Sequence, residues 1–244
     1  MKFIAVFILT LTFLPILEVK RKSDLRHDGL VGPVRTVLEF RFHETEETPK
    51  YKAGRFKEGR GSPYLTISYN EKGDRTEETY LYGPPKIVYC YNAEGNRIVN
   101  QWFDGRATNS GEPKYPVPGQ PYQEEYKYDT LGRRTERLIR EHPYQWRTVY
   151  SYGNSDRLEE ERLYSLKDGS PIRRISYTYN AKGAVEREVW YSAKGSVDDE
   201  MTYSDYKYDS RGNWLVRKAA RHQHYDKNMP EHQMWWTYRE IIYY

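Results

Sequence analysis

The chain predicts an all-β protein, an antiparallel meander of repeated hairpins in one long curled sheet, and three observations carry that prediction. A tyrosine-rich strand runs six times into an Asn/Asp-type turn and out into a second strand: ISYNEKGD from Ile67, YCYNAEGN from Tyr89, YKYDTLGR from Tyr126, YSYGNSDR from Tyr150, YTYNAKGA from Tyr177 and YKYDSRGN from Tyr206. Tandem recurrence of one unit means a supersecondary element stacked on itself. The aromatic residues are numerous, with 25 Tyr, 6 Trp and 7 Phe in 244 residues. Each can bury on the order of 150–250 Å², so an aromatic core offsets the mean hydropathy of -0.98, which alone would suggest disorder.

Within one unit, Tyr177 and Tyr179 share a face at the period of a strand, and Thr178 points to the other face. Asn180 to Gly183 then offers a residue tolerant of left-handed geometry and a glycine that takes positive φ, the chemistry of a tight turn. The return strand follows from Val185 to Tyr191. The same reading places turns at Asn92 to Gly95, Asp129 to Gly132 and Asp209 to Gly212, while the fourth copy moves its glycine to Gly153.

Aligned, the copies give a column of Ser68, Cys90, Lys127, Ser151, Thr178 and Lys207 between two columns that are almost wholly tyrosine. One face should therefore be aromatic and buried and the other polar and wet. Trp102, Trp190 and Trp214 do not share one parity with their turn glycines, and their face stays open. About fourteen strands exceed the ~10 at which an open twisted sheet curls or splits, so a partial barrel or spiral is expected with the Tyr-x-Tyr face inside.

The core Tyr-x-Tyr-Asp-x-x-Gly, clearest in YKYDTLGRRTER from Tyr126 and YKYDSRGN from Tyr206, resembles the YD repeat of bacterial Rhs-type and related secreted proteins, from about Tyr64 onward. The resemblance implies a spiralling sheet able to enclose a cargo, and association with carbohydrate binding or with polymorphic toxins. The copy spacings of 22, 37, 24, 27 and 29 residues are looser than the family's array. A small stand-alone repeat protein without a toxin cage or effector region is the expectation.

Three regions follow: residues 1–22 as a signal peptide or N-terminal anchor, 23–63 as a capping strand and loop, and 64–244 as the hairpin array. Lys2 precedes fifteen mostly apolar residues, Phe3 to Leu17. As a helix they span ~22 Å, short of a ~30 Å hydrocarbon core and matching the apolar region of a signal peptide. An exported protein (periplasmic, surface-bound or secreted) is expected, although Lys20, Arg21 and Lys22 disfavour translocation. A docked N-terminal helix is the competing reading. Val34 to Phe42 reads as the first strand, Glu44 to Pro63 as a mobile loop, proline-rich Gly105 to Pro121 as extended chain, and Met234 to Tyr244 as a closing strand.

The formal net charge is +4, from 39 basic and 35 acidic residues interspersed along the chain. That pattern reads as a solvated sheet face and argues against nucleic acid as a partner. Cys90 is the single cysteine, so no intramolecular disulfide forms. No phosphate loop, nucleophile elbow or zinc-protease motif is present, and neither a cofactor nor a catalytic residue is expected. His222 and His224 share a strand face and form a weak metal candidate without a fixed third ligand.

The remaining candidates are aromatic: Trp102, Trp146, Trp190, Trp214, Trp235 and Trp236, which suit either core packing or stacking on sugar rings beside Arg, Asp and Asn. Trp235 and Trp236 are adjacent and must face opposite ways on a strand, which exposes one of them. The expected function is a non-enzymatic binding or scaffold surface in the bacterial envelope, on the outside of the curl. Its partner would be an envelope glycan or a protein, with membrane contact only through an uncleaved leader. The alternatives are an accessory protein of an Rhs-type toxin system and a metal-dependent envelope enzyme.

Overall fold

The computed structural model describes residues 23–43, 63–81, 86–91, 97–103, 124–141, 144–224 and 232–244. The leader, the Glu44 to Pro63 loop apart from its last residue, the Asn92 to Gly95 turn and the Gly105 to Pro121 segment lie outside them. After a four-residue helix α1 (Asp24–His27) come β1 (Val34–His43), β2 (Leu65–Tyr69), β3 (Arg75–Tyr80), β4 (Lys86–Tyr91) and β5 (Arg97–Phe103). Next are β6 (Glu124–Tyr128), β7 (Arg134–Glu141), β8 (Tyr144–Tyr152), β9 (Leu158–Ser165) and β10 (Pro171–Tyr179). β11 (Val185–Ser192), β12 (Val197–Tyr208), β13 (Trp214–Gln223) and β14 (His232–Tyr243) complete the chain.

All fourteen strands form one antiparallel sheet, in the order β5-β4-β3-β2-β1-β14-β13-β12-β11-β10-β9-β8-β7-β6. The order is a meander in two arms joined where the last strand pairs with the first, Glu39 opposite Arg239. Laid flat, the terminal strands β5 and β6 would stand roughly 60 Å apart at ~4.8 Å per neighbour. Instead Arg97 of β5 donates a hydrogen bond to the Tyr126 hydroxyl of β6 at 3.1 Å. The sheet therefore curls until its edges meet through side chains.

The Asn/Asp turns behave alike where they are described. Asp129 accepts from the backbone N–H of Leu131 at 3.0 Å and of Arg133 at 2.9 Å through Oδ1, and Asp209 does the same for Arg211 and Asn213, both at 2.9 Å. Gly132, Gly183 and Gly212 take φ of 73°, 85° and 90°. The fourth copy keeps this turn with changed residues. Asp156 takes φ of 62° where the other copies have glycine, and Gly153 N–H still reaches the Arg157 carbonyl at 3.0 Å.

In all six copies the ladder slips just before the second tyrosine: between Ser68 and Tyr69, Cys90 and Tyr91, Lys127 and Tyr128, Ser151 and Tyr152, Thr178 and Tyr179, and Lys207 and Tyr208. One residue of each return strand, Thr135 in the third copy, has no opposite number. Such a bulge frees a backbone carbonyl from the ladder and sharpens the twist. The freed carbonyl is then stitched by the next hairpin. Tyr91, Tyr152 and Tyr179 hydroxyls donate to the carbonyls of Arg75, Arg134 and Leu158 at 2.7, 2.8 and 2.6 Å. In the sixth copy Tyr206 donates to the Val185 carbonyl, from a β12 that carries a second irregularity at Asp205, φ 53°. In the second, fourth and fifth copies this hydroxyl explains why the position is tyrosine rather than phenylalanine.

The two tyrosine columns are buried or half buried throughout, whereas Cys90, Lys127, Ser151, Thr178 and Lys207 are exposed and Ser68 is half buried. The aromatic face is thus the inner one. The expectation of a polar outer face fails at β1, β13 and β14, where Phe40, Val216 and Tyr238 form a buried apolar cluster with Leu38, Phe42 and Trp236. These residues have the opposite parity to Glu39 and Arg239, and so stand on the outer side.

Helix α1, which the sequence reading did not anticipate, belongs to a segment laid across the turn end of the curl. Leu25 N–H bonds the Gly73 carbonyl at 2.9 Å, and Val31 exchanges backbone hydrogen bonds with the Asn213 side chain at 2.7 and 2.8 Å. Leu25 and Leu30 pack there on Val34, Val37, Ile67 and Tyr69. Among the described residues no helix is long and apolar enough to cross a membrane.

Candidate functional site

The bulge settles which return-strand residues face inward. In the first five copies the second, fifth and seventh residues after the turn stand opposite the second tyrosine, opposite the first, and opposite the residue two before it: Val185, Glu188 and Trp190 in the fifth copy. The odd step from second to fifth is the slip. It explains why Trp190 and Trp214 differ in parity yet share the inner face.

The fifth-residue column fills the middle of the curl with charge. Glu78, Arg137, Glu161, Glu188 and Arg217 alternate there with tyrosine, and Glu39 and Arg239 continue the belt. Glu124, 1% exposed, accepts from Arg137 and from the Tyr126 hydroxyl. Burial pushes Tyr126 up to about 12, against the pull of Arg97. Burial also raises Glu39, but Arg239 with Arg217 and Arg41 outweighs it and holds the carboxyl below its usual range. Glu161 and Glu188 go the other way. Burial lifts both, only partly opposed by hydrogen bonds from Tyr177 at 2.9 Å and Tyr203 at 3.0 Å.

Beyond this belt, at the end of the curl away from the Asn/Asp turns, the inner face opens into a cavity of about 550 Å³. Trp190, Met201, Tyr203 and Trp235 supply its apolar lining. Asp199, opposite Trp190 in the ladder, accepts from Arg221 at 2.8 Å (Nε) and 2.5 Å (Nη2). Glu188, Asp198, Arg41 of β1 and Arg173 of β10 also border the space. The Arg41 guanidinium lies over the Tyr64 ring, 3.9 Å from its centroid, and 5.9 Å from that of Trp235. Aromatic faces, hydroxyl-accepting carboxylates and forked donors converge on one concave space, the composition of a small-ligand site.

The tryptophans singled out in the sequence divide. Trp190 and Trp235 meet in the cavity. Trp146 lies opposite Ile139 and Ser165 on the same inner face, and Trp102 sits opposite Ile87 in the β4–β5 ladder. Trp214 is inside but at the turn end, stacked by Arg239 at 3.5 Å and Arg217 at 4.3 Å. Trp236 joins the outer apolar cluster, and contrary to expectation neither it nor Trp235 is exposed: both are half buried. The cavity lies within the curl, not on the outer face where a binding surface was expected. Sequence reasoning missed Arg41, Arg173, Glu188, Asp199, Tyr203 and Arg221. Only the periodicity of the slip could have pointed to Glu188.

His222 and His224 stand side by side with ring centroids 4.4 Å apart, and Glu200 is opposite His222. Among the described residues no group of three or more His, Cys, Asp or Glu is placed to hold a metal ion.

No family model and no curated protein sequence matches this chain. Among solved structures, a porin-like protein from Bacteroides uniformis is similar at 13% identity and a TM-score of 0.46, over 87% of this chain and 99% of that one. A second porin-like protein, from Bacteroides vulgatus, gives 10% identity and a TM-score of 0.24 over 86% and 98%. A Photorhabdus luminescens Tc holotoxin pore gives 11% and 0.30, over 81% of this chain and only 11% of that one.

Proposed function

We propose that this protein is a non-enzymatic binding protein of the bacterial envelope, exported by its N-terminal apolar segment, which takes an envelope glycan into the cavity inside the curled sheet. The observation that carries the reading is the juxtaposition of Trp190 and Trp235 with the Asp199–Arg221 pair around one space of about 550 Å³. Ring faces stack on the apolar side of a pyranose, and fixed carboxylate and guanidinium groups bond its hydroxyls. A glycan suits a concave space of this size better than a protein partner, which needs a broader contact of roughly 800 Å² per side. Glu188 and Asp199 serve in this reading as ligand contacts and not as an acid–base pair.

The test is binding of purified protein to an immobilised glycan panel, repeated with Trp190→Ala. Retention of some glycans by the wild type and their loss from the variant support the reading. Wild-type protein that retains none, or a variant that binds as well, refutes it.

A further inference from the structure

Taking a glycan as the ligand, we infer that the cavity selects a sugar carrying a carboxylate, held between Arg41 and Arg173. Most arginines on the inner face already have carboxylates: Arg75 has Asp28, Arg97 and Arg134 share Asp24, Arg137 has Glu124, Arg221 has Asp199 and Arg239 has Glu39. Arg217 instead lies over the Tyr203 and Trp214 rings, which leaves Arg41 and Arg173. Both border the cavity, both are exposed, and neither has a carboxylate within ion-pair distance among the described residues.

They come from different parts of the curl, since β1 and β10 are separated in the sheet by β14, β13, β12 and β11, yet both border the one cavity. A single anionic group in the space that both border is met by two guanidinium forks, the arrangement that recognises a planar carboxylate. Arg41 is already oriented by its stack on Tyr64, which lowers the ordering cost of the contact.

The other charges of the cavity leave this role free. Asp199 is paired with Arg221, and Glu188 accepts a hydrogen bond of 3.0 Å from the Tyr203 hydroxyl. Asp198, half buried at the slip between Trp190 and Tyr191, has no arginine partner among the described residues and is the acceptor for a ring hydroxyl. The ligand is thus read in two parts, apolar ring face on Trp190 and Trp235 and carboxylate at the mouth.

The test is isothermal titration of the full chain with pairs of oligosaccharides that differ in one group, a uronate oligomer and its methyl ester of equal length. The acid form is expected to bind about tenfold tighter or more, the scale of charge-assisted hydrogen bonds. That preference should shrink with added salt and vanish in the Arg41→Gln, Arg173→Gln double variant, which should bind acid and ester alike. Equal or tighter binding of the ester overturns the carboxylate assignment and leaves the glycan reading standing. A preference that survives in the folded double variant also overturns it. Binding of neither form in any pair overturns both. The wild-type comparison stands by itself should the double variant not fold.

Discussion

Asp24 and Arg97 meet at 3.1 Å, and Asp24 also reaches Arg134 at 3.5 Å, so one carboxylate touches arginines on both sides of the seam between β5 and β6. The same side chain accepts from Arg75 N–H at 3.0 Å and from the Tyr91 hydroxyl, and is 2% exposed. A ladder does not close the seam among the described residues; a short helix pins it. Asp24→Asn leaves two inward arginines without their counter-charge. It should cost about 3–5 kcal/mol, the scale for removing one partner of a buried pair, read from denaturant midpoints. A loss within about 0.5 kcal/mol, typical of surface changes, would show that the seam closes without the pin.

The hydroxyl stitches give a second test. Tyr179→Phe removes the 2.6 Å bond to the Leu158 carbonyl and leaves the ring in place. A loss of about 1 kcal/mol is expected, and a similar loss for Tyr152→Phe. Unchanged midpoints for both would mean that the ring alone explains the repeated tyrosine.

Cys90 tests the face assignment directly. Its thiol is exposed while Tyr91, one residue on, bonds Asp24 inside. A small alkylating reagent should label Cys90 in the folded protein, and Cys90→Ser should change stability by no more than about 0.5 kcal/mol. Tyr91→Ala should cost roughly 3–5 kcal/mol. A protected thiol beside a dispensable tyrosine would invert the faces.

Burial raises Glu161 and Glu188 above the usual 4.5, so each binds its proton more tightly folded than unfolded. The stability they contribute is full below pH 4.5 and falls as pH rises through their folded values. Glu161→Gln, Glu188→Gln removes that dependence. The stability of this variant relative to wild type should therefore climb between pH 4.5 and 7, measured by midpoints across that range. A difference that is flat or shrinks over the same range would deny that burial raises the two carboxyls.

Much of this architecture was legible because the repeat fixes its own alternation. Tyr177 and Tyr179 announce the inner face, Asn180 and Gly183 the turn, and an array of this many strands the curl. What stayed hidden arises between copies. The slip before Tyr179 changes parity in the return strand, so Glu188 and Trp190 could not be placed from sequence spacing alone. The Asp156 turn looked irregular because aspartate replaces glycine in the left-handed conformation. α1 is a single turn with no periodicity to read, and its anchor Asp24 depends on arginines 73 and 110 positions away. The cavity joins β10 to β1, a proximity that appears only once the last strand pairs with the first.

The most direct test of a ligand site inside the curl is the indole N–H region of a ¹⁵N-resolved NMR spectrum, where the six tryptophans give six reporters. Titration with a glycan that the panel retains should shift the Trp190 and Trp235 signals and leave Trp214, at the plugged turn end, and Trp236, on the outer side, where they were. Shifts confined to Trp214 or Trp236, or no indole shift at saturating glycan, would contradict the account.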